Sequence, residues 1–400
     1  MARLSRLVVL VLSPVLAASA TACAGAEPPS SPSPGSPAPN TAGPSRPSPG
    51  CAQSTLAGMS EQARVGQLFM MGIPASGPKP GDTAVIDRSA SGGVYFAGRT
   101  KGGTAEVARA SAEVQQRGTA AARGVQPFVG VDQEGGKVQP LSGPGFSAIP
   151  PATVQGQWSP EQLRAAASTW GRELHSAGIN VDLAPIGDTL SDKLGKANPA
   201  IGKYDRAFST DPAVVASHVR AFVEGMRSSG VSSSVKHFPG LGRVRGNTDV
   251  DDHVTDGETT PDDPNMAPFE EGVRSDSTFM MTSSATYPRI DPGARAVFSP
   301  ATVQGLMRNK LGYKGLIISD DLGVAKEVSS EPVGQRAVDF LAAGGDVVLT
   351  AAPPTVGPMI NAVIDRSHRD PQFAALLDAA EHRVLQAKAT HGLLPCSKSG

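Results

Sequence analysis

Residues 315–322 read Gly-Leu-Ile-Ile-Ser-Asp-Asp-Leu. A short apolar run that opens straight into two carboxylates marks a strand buried on both faces and ending at a polar rim. Seven further runs serve as strand candidates, at 67–72, 93–96, 127–132, 180–185, 233–238, 278–283 and 346–350, drawing their apolar residues mostly from Val, Ile, Phe and Met. Between them lie longer stretches, such as 106–122, 160–177 and 212–229, with Ala, Arg, Glu and Val at helix-like intervals. Eight apolar strands alternating with helices predict an α/β protein whose parallel sheet is covered on both faces and closes into one (β/α)8, or TIM, barrel. An open doubly wound sheet is the competing architecture, because pattern alone does not prove closure.

Several of these runs end in charged or amide groups: Asp132-Gln133-Glu134, Asp182, Lys236-His237 and Asp320-Asp321. One strand-end Asp is commonly a helix cap. Several together, at the carboxyl ends of barrel strands, converge on one opening. Successive strand side chains alternate, so Asp320 is expected to face the pocket and Asp321 elsewhere. A carboxylate so placed suits attack on an anomeric carbon; an oxygen-rich metal site needs more ligands than this segment offers. Lys236 and His237 supply hydrogen-bond donors for hydroxyl groups. The loop beyond them contains Pro239, Gly240, Gly242 and Gly246, a composition able to move as a lid. At its far end Asp251 and His253 stand two apart, where a carboxylate can orient an imidazole for acid/base work. The plainer reading of that loop is a solvated acidic surface. Asp132 precedes Gln-Glu-Gly-Gly-Lys, which lacks the spacing of a phosphate-binding loop and suits instead the outer hydroxyls of a sugar.

The 400-residue chain carries net charge −1 and no basic run, with two Trp and four Tyr. Neither a nucleic-acid footprint nor a stacking platform is legible. Arg3 and Arg6 precede an apolar stretch at 7–18, and Ala20-Thr21-Ala22-Cys23 follows. Residues 1–22 read as a lipoprotein-type signal segment with Cys23 as the lipidated residue, or as a plain secretion signal. Either way the destination is outside the cell membrane, and a lipid on Cys23 tethers the protein to its outer face. Residues 23–50 form a Pro/Ser/Gly-rich spacer with nine prolines between 27 and 50. The barrel is assigned to 51–396. Its bracketing cysteines, Cys51 and Cys396, are expected to pair in an oxidising compartment, two free thiols being the alternative.

Taken together, six ordered segments resemble glycoside hydrolase family 3, particularly its single-barrel β-N-acetylglucosaminidases. They are Asp-Gln-Glu-Gly-Gly at 132–136, Gly-Ile-Asn-Val-Asp-Leu-Ala-Pro at 178–185, Asn-Pro-Ala-Ile-Gly at 198–202, Arg-Ala-Phe-Ser-Thr-Asp-Pro at 206–212, Lys-His-Phe-Pro-Gly at 236–240 and Ser-Asp-Asp-Leu at 319–322. The resemblance spans about 65 to 350. It implies Asp320 as nucleophile, Asp251 and His253 as the acid/base dyad, and Asp132, Arg206, Lys236 and His237 as sugar contacts. It further implies retention through a covalent glycosyl-enzyme, β-linked N-acetylglucosamine of peptidoglycan fragments as substrate, no metal or organic cofactor, and a monomer. The chain departs from the pattern in four places. Leu241 stands where similar enzymes have His, residues 243–246 are additional, Pro140 replaces an Arg, and Ser284 replaces a His. The insertion either displaces His253 or leaves Asp249 as the working carboxylate. A β-glucosidase of the same family and a sugar-binding lipoprotein without turnover are the competing functions.

Overall fold

The computed structural model describes residues 50–398. The signal segment 1–22, Cys23 and all of the spacer except Gly50 lie outside the described residues. Eight parallel strands follow in chain order: β1 (Phe69–Pro74), β2 (Gly93–Ala97), β3 (Phe128–Val131), β4 (Val181–Asp182), β5 (Ser232–Phe238), β6 (Phe279–Thr282), β7 (Leu316–Ser319) and β8 (Val348–Thr350). Each pairs with its sequence neighbour, and β8 returns to β1 through Phe69 opposite Val348 and Met71 opposite Thr350. Between β7 and β8, the Ser319 N–H donates to Val347 O (3.0 Å), the Val347 N–H to Ile317 O (3.0 Å) and the Leu322 N–H to Leu349 O (2.9 Å). The sheet therefore closes and the open alternative falls away: this is a (β/α)8 barrel.

The covering helices begin where short polar caps meet proline. Ser159 and Gln162 cap each other's backbone ahead of Pro160–Ser176. Asp211 accepts from the Ala213 N–H (2.9 Å) ahead of Pro212–Arg227. In both, the cap satisfies a free N–H and proline takes the first position, where it has no donor to lose. Their buried faces, Leu163, Ala167, Trp170 and Leu174 against Val215, Val219, Phe222 and Met226, follow the helical period and pack on the barrel. The crossover from β6 to β7 is a π-helix, Ala301–Lys310. Strand β4 is shorter than the run that announced it. Pro185 has no N–H to donate, and the pairing with β5 continues as single bonds from the Ser234 N–H to Ala184 O, from the Lys236 N–H to Pro185 O and from the Gly187 N–H to Lys236 O.

Cys51 and Cys396 are joined by a disulfide, with Cα atoms 5.9 Å apart, so the first and last described helices are tied to each other. At the opposite rim a second, smaller apolar cluster of Ile186, Ile201, Leu241, Val244, Val254 and Tyr287 knits the loops after β4, β5 and β6 together. These loops roof the carboxyl ends of the strands. Among the described residues no helix is long and apolar enough to cross a membrane.

Candidate active site

At the carboxyl ends of the strands lies a cavity of about 420 Å³. Its wall from β3 begins with Asp132, after which the chain folds back at Gly135 and Gly136. Both have positive φ (102° and 54°), and a Cβ on Gly135 would lie 2.5 Å from Ile149, so only glycine turns here without strain. Gln133 pins the turn: its backbone N–H donates to Asp182 Oδ1 (2.9 Å) and its amide exchanges bonds with Leu141. Glu134 is thereby directed inward, where it is 5% exposed. The Arg206 guanidinium grips it with two bonds of 2.7 and 2.8 Å. Lys236, at the end of β5 and 2% exposed, bonds to both Asp132 and Glu134, the latter at 2.8 Å.

These four side chains alternate in sign and sum to zero charge. Burial by itself would raise the Glu134 carboxyl, but Arg206 and Lys236 overcome it and hold the group at about 2. Burial likewise opposes the Lys236 ammonium, and Asp132 and Glu134 hold it above its ordinary value. Both cations stay charged and Glu134 stays ionised at neutral pH. Such a network offers a sugar acceptors and donors together, matching hydroxyl groups that are both.

His237 joins this wall. Its Nδ1 meets Asp188 Oδ2 at 2.8 Å, while Asp188 Oδ1 takes the N–H groups of His237 (3.2 Å) and Leu241 (2.7 Å). A carboxylate partner assigns the proton to Nδ1 and leaves Nε2 for the cavity. Asn198 braces the same loops, accepting from the N–H groups of Ala200, Ile201 and Gly202 and donating to Leu241 O and Val244 O. Asp182 sits behind the network, wholly buried, with Oδ2 lacking a partner; burial pushes its carboxyl up to about 8.

Across the cavity stand Asp320 and Asp321, just beyond β7. Both reach the cavity, but Asp321 is occupied: its Oδ1 accepts from the N–H groups of Gly323 (2.7 Å), Ala351 (3.1 Å) and Val324 (3.4 Å). Asp320 accepts one bond, from the Asp321 N–H (2.9 Å). Burial pushes the Asp320 carboxyl up to about 6; the charges of Asp249 and Asp321 add to the rise, against His237 and the Asp321 N–H. Tyr95, Phe96, Leu183, Met281 and Leu349 supply apolar wall between the two halves.

Of the residues singled out in the sequence, Asp132, Arg206, Lys236, His237 and Asp320 are brought together here. Asp251 and His253 are not: both are exposed and neither lines the cavity. The Asp251 carboxylate turns back to accept from the Asn247 N–H (2.8 Å), leaving nothing to orient the imidazole. His253 adopts φ +56°, and its ring forms no hydrogen bond or ion pair among the described residues. The carboxylate this loop delivers to the cavity is Asp249. Glu134 was visible in its motif without a role. Asp188, six residues past β4 after Leu-Ala-Pro-Ile-Gly, carried no signal at all. Among the described residues no group of three or more His, Cys, Asp or Glu is placed to hold a metal ion.

The model of the glycosyl hydrolase family 3 N-terminal domain matches residues 61–387. A beta-hexosaminidase of Xanthomonas oryzae pv. oryzae is 33% identical over 308 residues, covering 75% of this chain and 88% of that protein. One from Stenotrophomonas maltophilia is 36% identical over 289 residues, covering 68% of this chain and 83% of its own length. Among solved structures, the beta-N-acetylhexosaminidase of Beutenbergia cavernae superposes with a TM-score of 0.81 at 44% identity, over 83% of this chain and 99% of that one.

Proposed function

The chain belongs to glycosyl hydrolase family 3, and from that premise we propose that it removes terminal β-linked N-acetylglucosamine with retention, through a covalent intermediate on Asp320. It is a glycoside hydrolase; the N-acetylhexosaminidase relatives support the sugar, and peptidoglycan fragments are the proposed source of it.

The observation that carries the mechanism is the division of the cavity: a charge-neutral hydroxyl-binding wall of Asp132, Glu134, Arg206 and Lys236 faces the Asp320 carboxylate, which accepts a single backbone N–H. The wall holds the sugar by its hydroxyls, which fixes the ring over Asp320. The Asp320 carboxylate attacks C1 as the bond to the leaving oxygen breaks, giving an ester of inverted configuration. Water then attacks the same carbon, releases Asp320 and restores the β configuration. Attack requires the ionised carboxylate, available above about pH 6.

The first test is 4-nitrophenol release from its β-N-acetylglucosaminide by wild type and Asp320→Asn, with the first-formed anomer read by NMR. Turnover that collapses in the variant, with β-N-acetylglucosamine formed first, supports the reading. Equal activity of the variant, or an α product, defeats it. A faster rate on the β-glucoside would move the assignment to a β-glucosidase.

The enzyme is further proposed to act as a monomer at the outer face of the cell membrane, held by a lipid on Cys23 with residues 24–50 as spacer. Cys23→Ala should then release it into the medium; a variant that stays in the membrane fraction would contradict the anchor.

A further inference from the structure

We propose that Asp182 is a positioning residue for the sugar: as a neutral carboxylic acid it holds the Gln133 N–H, and with it the turn that carries Asp132 and Glu134. The inference rests on the reading of Asp132, Glu134, Arg206 and Lys236 as the wall that binds the sugar's hydroxyls.

Asp182 is the last residue of β4 and is wholly buried. The bond that its Oδ1 accepts from the Gln133 N–H (2.9 Å) joins β4 to the segment leaving β3. Gln133 stands in the chain between the two wall carboxylates. On one side Asp132 bonds to Lys236; on the other Glu134 is gripped by Arg206 at 2.7 and 2.8 Å. A shift of the Gln133 backbone therefore moves both. Asp182 does not itself line the cavity, so it acts on the sugar only through this turn.

The surroundings of its second oxygen favour the acid form. Asp182 Oδ2 has no partner among the described residues. Opposite Asp182 in the β4–β5 register is Ser233, also buried and with an unpartnered hydroxyl, so the polar neighbour offered there is neutral. The cations nearby are engaged elsewhere: Lys236 bonds to Asp132 and Glu134, and Arg206 to Glu134 and Ala200 O. His237 is held by Asp188. The covering helices bring no carboxylate or cation to this layer. The short helix Ala152–Gln155 has no ionisable residue. Among the buried residues of Pro160–Ser176 and Pro212–Arg227 the titratable one is His218, whose ring nitrogens lie 2.8 Å from Val214 O and 3.1 Å from Trp158 O. An ionised carboxylate with one backbone donor and no cation in contact is costly in such a place, and the acid is not. Burial accordingly pushes the group up to about 8; the Gln133 N–H and Lys236 oppose the rise, and Asp132 and Glu134 add to it.

Neutrality here protects the wall. Its four charges cancel, and a fifth on Asp182 would compete with Asp132 for Lys236 and leave the buried cluster with surplus negative charge. The sugar site is therefore intact while Asp182 keeps its proton and weakens as the proton leaves. The proton also costs stability. Because the folded value of about 8 lies above the ordinary 3.8, the unfolded chain has released this proton at neutral pH and the folded chain has not. Asparagine removes that cost, keeps an oxygen for the Gln133 N–H and cannot ionise.

The experiment compares wild type, Asp182→Asn and Asp182→Ala in the full mature chain, by thermal unfolding between about pH 4 and 9 and by calorimetric binding of N-acetylglucosamine between about pH 6.5 and 9.5. Asp182→Asn should melt higher than wild type at pH 7, and the gain should shrink towards pH 4. The wild-type dissociation constant should rise about tenfold between pH 7 and pH 9, as the protonated fraction falls. In Asp182→Asn it should change by less than about threefold over the same range. Asp182→Ala leaves the Gln133 N–H without its acceptor and should bind about tenfold more weakly than Asp182→Asn at pH 7. The proposal is overturned if Asp182→Asn melts lower than wild type at pH 7, or if its affinity falls above pH 8 as the wild-type affinity does. Asp182→Ala binding as tightly as Asp182→Asn would overturn it too. Failure of the proposed reaction looks different: wild type would bind the sugar with this pH dependence yet release no 4-nitrophenol from its β-N-acetylglucosaminide.

Discussion

Replacing Glu134 by Gln keeps its shape and removes the charge on which the hydroxyl-binding wall is built. Glu134 is 5% exposed and is bonded by Arg206 at 2.7 and 2.8 Å and by Lys236 at 2.8 Å. Burial alone would raise its carboxyl, yet the two cations hold it at about 2, against an ordinary 4.5. That gap corresponds to about 3 kcal/mol of stability carried by the ionised group. Because the folded value lies below the unfolded one, this contribution is complete above about pH 4.5 and disappears as pH falls towards 2. In the variant, an amide N–H₂ must sit among the donors of Arg206 and Lys236, and two buried cations are left with Asp132 alone. Urea unfolding at pH 7 should find Glu134→Gln less stable than wild type by about 3 kcal/mol. The deficit should hold down to about pH 5 and narrow below 4.5. A deficit under about 0.5 kcal/mol at pH 7, or one that widens in acid, would refute the claim that the network is a mutually stabilised charge cluster.

Three other outcomes follow from the same geometry. Since burial raises the Asp320 carboxyl to about 6, kcat/KM should fall in acid with a limb near pH 6; a limb near pH 4 would mean that the free enzyme's nucleophile is not desolvated. Asp188→Asn can still accept the backbone N–H bonds but places an N–H₂ against His237 Nδ1, so activity should drop about tenfold or more while stability changes by only about 1–2 kcal/mol; intact kcat/KM would remove His237 from the site. Replacing Cys51 and Cys396 by Ser opens a link across 345 residues and should cost about 2–5 kcal/mol in stability without altering KM; unchanged stability would contradict the disulfide as a stabilising tie.

The barrel was readable because each buried strand leaves a continuous apolar run, and each run ends in polar residues at the same rim. β7 and β3 are the plainest cases. β4 was read too long because periodicity does not register the donor that Pro185 lacks. In the site, Asp320, Lys236 and His237 were legible because they sit at strand ends, where the fold alone determines direction. Asp188 was not, and Asp249 entered only as the alternative to a displaced His253, because both sit on loops whose course is set by distant partners. Asp188 takes its place from two N–H groups that it accepts, those of His237 at the end of β5 and Leu241 in the loop beyond it. Asp249 takes its place from Lys326 and Glu327, more than 70 positions away in the sequence. The spacing of Asp251 and His253 suggested a dyad, but Asp251 finds a nearer partner in the Asn247 N–H. Local spacing cannot weigh a side-chain pair against a backbone donor in the same loop.

The central claim is that Asp320 becomes covalently attached to the sugar. Brief incubation with 5-fluoro-N-acetylglucosaminyl fluoride, which forms the intermediate readily and releases it slowly, followed by proteolysis and tandem mass spectrometry, tests it directly. The account predicts one added 5-fluoro-N-acetylglucosaminyl group, located on Asp320 and absent from Asp320→Asn. Turnover of the reagent with no adduct, or an adduct on Asp249 or Asp321, would contradict it.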